Sequence, residues 1–144
     1  MTRLHDMGGR FGDGPVVPEA EHVKFHADWH PRALAITLAC GSLGLWNIDT
    51  SRHARESLSP ADYGQFSYYE KWISALADLL VAKGAVSQDE LAAGLAMGAS
   101  ALAARKLRAD TVADVLAKGG PADRPSDVAP LFVSGDAVTV RPFA

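Results

Sequence analysis

The stretch SYYEKWISALADLLVAKG, residues 67–84, gives the strongest indication of the fold. Apolar and aromatic side chains recur through it at helical spacing, and they are Tyr69, Trp72, Ile73, Leu76, Leu79 and Leu80. This pattern predicts one long helix, from about Ser67 to Lys83, that packs one face on a core. Gly84 is suited to end it, because glycine readily adopts the left-handed conformation that closes many helices.

The sequence before this helix predicts shorter helices joined by tight turns. Each begins at a proline or at a residue whose side chain can cap a helix. The predicted helices run from Pro31 to about Gly44, from Asn47 or Asp49 to about Leu58, and from Ser59 and Pro60 onward. The run of apolar residues in the first of them predicts a buried helix.

Two further helices are predicted after Gly84. Ser87 with Glu90 three residues later forms a capping-box pattern, and the alanine-rich sequence that follows predicts a helix from Gln88 to about Arg105. A last short helix is predicted at 111–118, before two glycines.

Both ends of the chain are predicted to lie outside the helical domain. Residues 1–24 combine glycines, prolines and apolar side chains without any period, which indicates an extended arm that lies on another subunit. Residues 119–144 begin as a linker and end in an alternating, strand-like sequence, which must pair with a sheet from a partner chain. The predicted fold is therefore mainly α: an arm, a small helical domain at 25–118, and a linker with a terminal strand.

Composition narrows the class of protein. The 144 residues, 48% of them hydrophobic, suit one domain, and a net charge of -3 without a basic block argues against a nucleic-acid partner. The longest apolar window, 33–46, is too short and too polar for a membrane span. Cys40 is the only cysteine, so no internal disulfide can form, and we expect a cytoplasmic protein.

The histidines and Cys40 are the residues to test for a metal or a nucleophile. His22, His26 and His30 are spaced four apart, which would place them on one helix face. Pro31 disfavours helical geometry at His30 and no Glu or Cys completes a ligand set, so solvated polar residues are favoured and no metal is predicted on this chain. Cys40 lies in an apolar run, which favours a small buried side chain over a nucleophile.

Two pairs of residues at helical spacing are of more interest. Arg52 and Glu56 stand four apart, so the carboxylate can orient the guanidinium. Tyr68 and Trp72 also stand four apart and share a helix face. On pattern alone, a surface ion pair and an aromatic core stripe are favoured for them.

The sequence as a whole resembles the nitrile hydratase β subunits, from the first residues to about Gly84 and again at the tail. The resemblance rests on four segments in order and at similar spacing: HDMGGRFGDGPV, VKFHADWH, NIDTSRHARESLSPADY and SYYEKWI. It is therefore a likeness to the amino-terminal, helical half of such a subunit.

That resemblance implies a role beside a metal site held by another chain. In the family, the arm wraps an α subunit whose CxxCxC motif holds Co(III) or Fe(III) through cysteines, two of them oxidised. Arg52 matches the arginine that hydrogen-bonds the oxidised cysteines, and Glu56 would orient it. Tyr68 matches a tyrosine near the substrate and Trp72 a wall of the pocket. The implied reaction is hydration of a nitrile to an amide, with no cofactor on this chain.

Two departures from the family pattern carry further expectations. The family's β-barrel begins where LFVSGDAVTV stands here, so a separate third chain is expected to supply the barrel, as in the split β subunits of thiocyanate hydrolases and of a nitrile hydratase that acts on toyocamycin. The smaller side chains of Thr37, Gly41 and Ser51, beside Ile48, predict a wide pocket that suits a bulky cyano-nucleoside.

Two other functions remain open at this point. The maturation proteins that deliver metal to nitrile hydratases resemble the same half of the β subunit, and such a chain would be a chaperone. A thiocyanate hydrolase subunit would make the same contacts with a different substrate. The pair Arg52 and Glu56, together with the HDMGG arm, favours the nitrile hydratase subunit.

Overall fold

A computed structural model describes residues 5, 14–15, 17–120 and 125–139. The described part is mainly helical and contains no strand. Its helices are α1 (His30–Gly41), α2 (Ile48–Glu56), α3 (Pro60–Gln65), α4 (Tyr68–Ala82), α5 (Gln88–Ala93) and α6 (Val112–Lys118), with 3-10 turns at Ala103–Arg105 and Ala109–Thr111. The mainly α prediction is confirmed, and α4 lies where the sequence predicts the long helix.

Polar side chains fix the starts of α2 and α3. Asn47 Oδ1 accepts a hydrogen bond of 2.8 Å from the backbone N–H of Thr50. Ser59 Oγ accepts one of 3.1 Å from the N–H of Asp62, with Pro60 in the first turn of the helix. Since each cap satisfies a backbone donor that the helix itself cannot, these two starts follow directly from local sequence.

Helix α4 is the centre of the small core. It packs against α1 and against α2. Among the described residues, the buried apolar side chains are Ala33 of α1 and Ala75, Leu76 and Leu79 of α4. Small alanines at the crossing let the helix axes approach, while the two leucines supply most of the buried apolar area, at about 1.5–3 kcal/mol each.

His30 belongs to this core, and the prediction that it is a solvated polar residue is wrong. Its side chain is 9% exposed. The ring lies 4.5 Å from that of Trp29 and 4.7 Å from that of Tyr69, between centroids, and Nδ1 accepts a hydrogen bond from the backbone N–H of His26. Pro31 starts α1 at this point, so His30 becomes the first residue of the helix and turns inward toward α4.

Helix α5 is much shorter than predicted. It ends at Ala93, because Gly94 takes the left-handed conformation with φ of 63°. The N–H groups of Leu95 and Met97 then bond to the backbone and the carboxylate of Glu90, which closes the helix end. The alanines that follow favour a helix, but they bury little area, so Gly94 decides the boundary.

Helix α1 also differs from the prediction. It ends at Gly41 instead of near Gly44, and Ile36 and Leu38 are exposed in this chain, so the helix is not buried as a whole. The Ser42 hydroxyl donates to the carbonyl oxygen of Ala39, which helps to close the last turn.

The two ends of the chain are described only in part. His5 is the described residue of the first stretch of the predicted arm, and its Nε2 lies 3.9 Å from Glu56 Oε2 of the same chain. Residues 125–139 form no strand, and Leu131 is 87% exposed. The rest of the predicted strand, 140–144, lies outside the described residues, and its pairing with a partner stays a prediction. No described helix is long and apolar enough to cross a membrane.

Candidate functional site

A cavity of about 600 Å³ opens where α1, α2 and α4 meet, and the end of α6 borders it. The lining residues are Thr37, Leu38, Gly41, Ser42, Trp46, Asn47, Ile48, Ser51, Arg52, Arg55, Tyr68, Trp72, Val115, Leu116, Gly119 and Gly120. It is within the usual range of small-molecule sites, and polar side chains are interspersed among apolar ones.

The cavity brings together every site residue predicted from the sequence except Glu56. Those that line it are Thr37 and Gly41 of α1, Ile48, Ser51 and Arg52 of α2, and Tyr68 and Trp72 of α4. Glu56 lies one turn further along α2 and lines a smaller neighbouring cavity of about 240 Å³, which it shares with Arg52, Tyr68 and Trp72. Residues far apart in sequence thus converge on one place.

The aromatic pair of α4 forms one wall. The rings of Tyr68 and Trp72 lie 5.4 Å apart between centroids, with their planes inclined at 42°. Tyr68 is 64% exposed, and Trp72 is partly covered. Positions 68, 72, 75 and 79 share one stripe of α4, so the two rings lie at the start of the same helix face whose later residues, Ala75 and Leu79, are buried in the core.

The predicted ion pair between Arg52 and Glu56 does not form within the described part of the chain. Glu56 lies instead near the imidazole of His5, and Arg52 is exposed at the cavity rim. A long arginine side chain at a solvated position gains little from such a pair, so spacing alone does not bring the two groups together. The orienting role of Glu56 stays a prediction.

Arg55 is a residue of the cavity that the sequence reasoning missed. Its guanidinium carbon lies 4.6 Å from the centroid of the Trp72 ring, and Nη1 donates a hydrogen bond of 3.2 Å to Ser51 Oγ. Burial lowers the pKa of Arg55; Tyr68 opposes this, the positive charge of Arg52 lowers the pKa further, and the charge of Glu56 raises it. The guanidinium still carries its charge at neutral pH, because the ordinary pKa of arginine is so high. The signal in the sequence was its position, four residues after Ser51.

The small side chains of α1 leave the floor of the cavity open. A Cβ added at Gly41 would meet no atom within 4 Å. Thr37 Oγ1 donates a hydrogen bond of 2.9 Å to the carbonyl oxygen of Ala33, which holds its hydroxyl against the helix. Gly41 therefore leaves space in the cavity, and the wide substrate pocket stays a prediction.

The residues able to bind metals are dispersed in the described part of the chain. No group of three or more histidine, cysteine, aspartate or glutamate side chains there is arranged to hold a metal ion. His26 Nε2 lies 3.1 Å from Glu19 Oε2, while the His30 ring is in the core. Burial raises the pKa of the Cys40 thiol, which makes it a poor nucleophile at neutral pH.

Comparison with known proteins decides the family of this chain. The model of the family "Nitrile hydratase beta subunit, N-terminal" matches residues 1–117, a range that contains all the predicted site residues. The chain belongs to the nitrile hydratase β-subunit family. The resemblance inferred from the four sequence segments is therefore confirmed.

Three relatives show how far the likeness extends. The chain is 31% identical to the low-molecular-weight cobalt-containing nitrile hydratase subunit β of Rhodococcus rhodochrous and 34% identical to the nitrile hydratase subunit β of Pseudomonas putida, over 98% and 97% of its own length. It is 32% identical, over 63% of its length, to the cobalt-containing subunit β of Pseudonocardia thermophila. The chain spans 65%, 63% and 39% of these nitrile hydratase subunits.

Proposed function

We propose that this chain is a nitrile hydratase subunit that holds no metal of its own. It shapes the substrate pocket beside a metal-bearing α-type chain. The observation that carries the proposal is the convergence of Arg52, Tyr68 and Trp72 on one cavity of about 600 Å³. The assembled enzyme adds water to a nitrile to give an amide. Co(III) or Fe(III), held by the CxxCxC motif of the α-type chain, supplies Lewis-acid chemistry when bound there.

Arg52 has the properties that its proposed task requires. It is exposed at the cavity rim, on the middle of α2, and no ion pair to Glu56 holds it back. A guanidinium is planar, permanently charged and rich in donors, so it can bind two oxygens of an oxidised cysteine at once. Its role is to fix those oxygens in place.

Tyr68 and Trp72 position and enclose the nitrile. The exposed Tyr68 ring carries a hydroxyl that can donate to a polar atom of the substrate, and Trp72 offers an apolar surface behind it. Donors fixed before the reaction stabilise charge that builds on the nitrile nitrogen, and they act more strongly once the partner chain excludes water.

The proposed substrate is a bulky, polar nitrile such as a cyano-nucleoside of the toyocamycin type. Support comes from the open floor at Gly41 and from the small side chains of Thr37 and Ser51 along the wall. A very small substrate would leave most of such a cavity to water, which weakens the positioning of the reacting atoms. The wide cavity favours a large nitrile over thiocyanate.

Exposed apolar surface indicates where partners would bind. Leu38 and Ile48 line the cavity and are exposed, and the α-type chain would cover them there. Leu131 and Phe132 are exposed in the carboxy-terminal stretch, where the strands of a β-barrel, expected from a third chain, would cover them. Burial of these side chains would stabilise the assembly.

Co-purification tests the proposal. The chain, tagged, is co-expressed with an α-type chain that carries a CxxCxC motif and is encoded beside it. We expect the α-type chain to be retained on the affinity column in fixed ratio, and to be lost when the tagged chain is replaced by an unrelated tagged protein. A tagged chain that elutes as a monomer, with the α-type chain in the flow-through, contradicts the proposal.

A further inference from the structure

The most unusual side chain in the cavity is Arg55, which no predicted role uses. It comes from the same helix as Arg52, but its guanidinium is half-buried and turned against α4. Two contacts hold it: the face of the Trp72 ring at 4.6 Å, and Ser51 Oγ, which accepts a hydrogen bond of 3.2 Å from Nη1. Trp72 and Ser51 both line the cavity, so Arg55 is fixed between two of its walls.

These contacts leave most of the hydrogen-bonding capacity of Arg55 unused. A guanidinium has five N–H donors, and among the described residues Ser51 accepts from one of them. The aromatic face of Trp72 offsets part of the cost of burying the charge, but it accepts no conventional hydrogen bond. No carboxylate pairs with Arg55 in the described part of the chain. A half-buried cation whose donors lack partners within the protein is stabilised by a ligand that brings acceptors.

The two contacts also fix the direction of the guanidinium. Stacking on Trp72 restricts the plane of the group, and the hydrogen bond to Ser51 restricts its rotation in that plane. A cation held in this way is organised before the ligand binds, so less entropy is lost on binding than with a free side chain.

We propose that Arg55 is a specificity-determining residue, which selects nitriles that carry a hydrogen-bond acceptor, above all a carboxylate, at a distance from the cyano group. The proposal rests on the proposed function and extends it to the substrate class. Arg52 at the rim binds the partner, while Arg55, deeper against Trp72, binds the polar end of the substrate. An apolar nitrile of the same size gains nothing from Arg55 and leaves its donors unmet.

The test compares two nitriles of matched shape on the complex with the α-type chain. The probes are meta-cyanobenzoate, which carries a carboxylate, and meta-tolunitrile, which carries a methyl group at the same position. We expect Arg55→Met to lower the ratio of kcat/KM for the carboxylate to that for the tolunitrile by about tenfold or more. Arg55→Lys keeps the charge without the planar fork, and should restore part of the ratio. Arg108→Met, an exposed arginine paired with Asp110 outside the cavity, should leave it unchanged.

A binding measurement separates this proposal from the proposed function. Benzoate is titrated calorimetrically into the wild-type complex and into the Arg55→Met complex, and we expect the Kd to rise about tenfold in the variant. If the wild-type complex hydrates neither nitrile but binds benzoate through Arg55, the proposed function fails and the acceptor site stands. The role of Arg55 is refuted if Arg55→Met lowers kcat/KM equally for both nitriles. It is also refuted if benzoate binds equally well to the wild-type and variant complexes, or if it does not bind to the wild-type complex.

Discussion

The ring centroids of Tyr68 and Trp72 lie 5.4 Å apart, one turn apart at the start of α4. Further along the same helix, Ala75, Leu76 and Leu79 form the core against α1 and α2. One helix therefore supplies both the stability of the domain and a wall of the cavity. This division explains why the helix that decides the fold also carries two of the residues proposed for the site.

Arg52→Lys tests the proposed contact with the oxidised cysteines. The substitution keeps the positive charge but loses the planar pair of donors, so we expect assembly to be intact and kcat to fall by roughly a hundredfold. Activity is followed as amide formation, and assembly by gel filtration. Arg108→Lys is the matched control, since Arg108 is exposed and pairs with Asp110. Wild-type turnover in Arg52→Lys removes this residue from the site.

Thr37→Phe and Ser51→Phe test the width of the pocket. A ring at either position fills part of the cavity, so we expect kcat/KM to fall more for a large nitrile than for acetonitrile, by about tenfold or more. Thr37→Phe is the cleaner variant, because Ser51 also accepts a hydrogen bond from Arg55. Ala35→Phe, on α1 but outside the cavity lining, serves as control. Equal losses for both nitriles count against the wide pocket.

Leu76→Ala tests the core as the source of stability. Leu76 is buried on α4, so its truncation leaves a cavity and should lower the free energy of unfolding by about 2–4 kcal/mol. The measurement is urea denaturation of the purified protein. Leu95→Ala, at a position that is 71% exposed, should change the free energy by less than about 0.5 kcal/mol. Similar losses in the two variants would contradict this description of the core.

Glu70→Gln tests the electrostatic contribution to the start of α4. Hydrogen bonds from the Ser67 side chain and from its backbone N–H, the latter 2.7 Å long, lower the pKa of the Glu70 carboxyl below its ordinary value of 4.5. Because the pKa of Glu70 is lowered by folding, its ionised carboxylate stabilises the fold at pH values above the ordinary pKa. This stabilisation is lost as the pH falls through the lowered pKa.

The Tm of Glu70→Gln should therefore lie below that of the wild type at pH 7, and the two should converge as the pH falls below 4.5 and through the lowered pKa of Glu70. Thermal unfolding across this range checks it. Glu21→Gln, an exposed residue before α1, should follow the wild type throughout. A Tm difference that grows as the pH falls would be the opposite of the expected pH dependence. It would refute the stabilising role of the hydrogen bonds between Ser67 and Glu70.

Local signals in the sequence predicted the helix starts well. Asn47 and Ser59 cap the helices that follow them, because a cap depends only on a side chain and the backbone a few residues on. The end of α5 was not predicted, since the choice between alanine propensity and Gly94 depends on how much area the longer helix could bury.

The site was predictable only in part, because a cavity depends on contacts between helices. The resemblance to a known family pointed to Arg52, Tyr68 and Trp72, and the fold places them around one cavity. Arg55 and the buried ring of His30 were not found, since their partners across the helices are distant in sequence, Trp72 and Tyr69. The expected pair of Arg52 with Glu56 shows that correct spacing does not ensure contact.

The most direct test of the central claim is the rate of amide formation from a nitrile by the purified complex of this chain with its α-type partner and the expected barrel chain, loaded with cobalt or iron. We expect the complex to hydrate the nitrile and each chain alone to be inactive. Hydration by the α-type chain alone at the same rate, or a loaded complex that hydrates no nitrile, would contradict it.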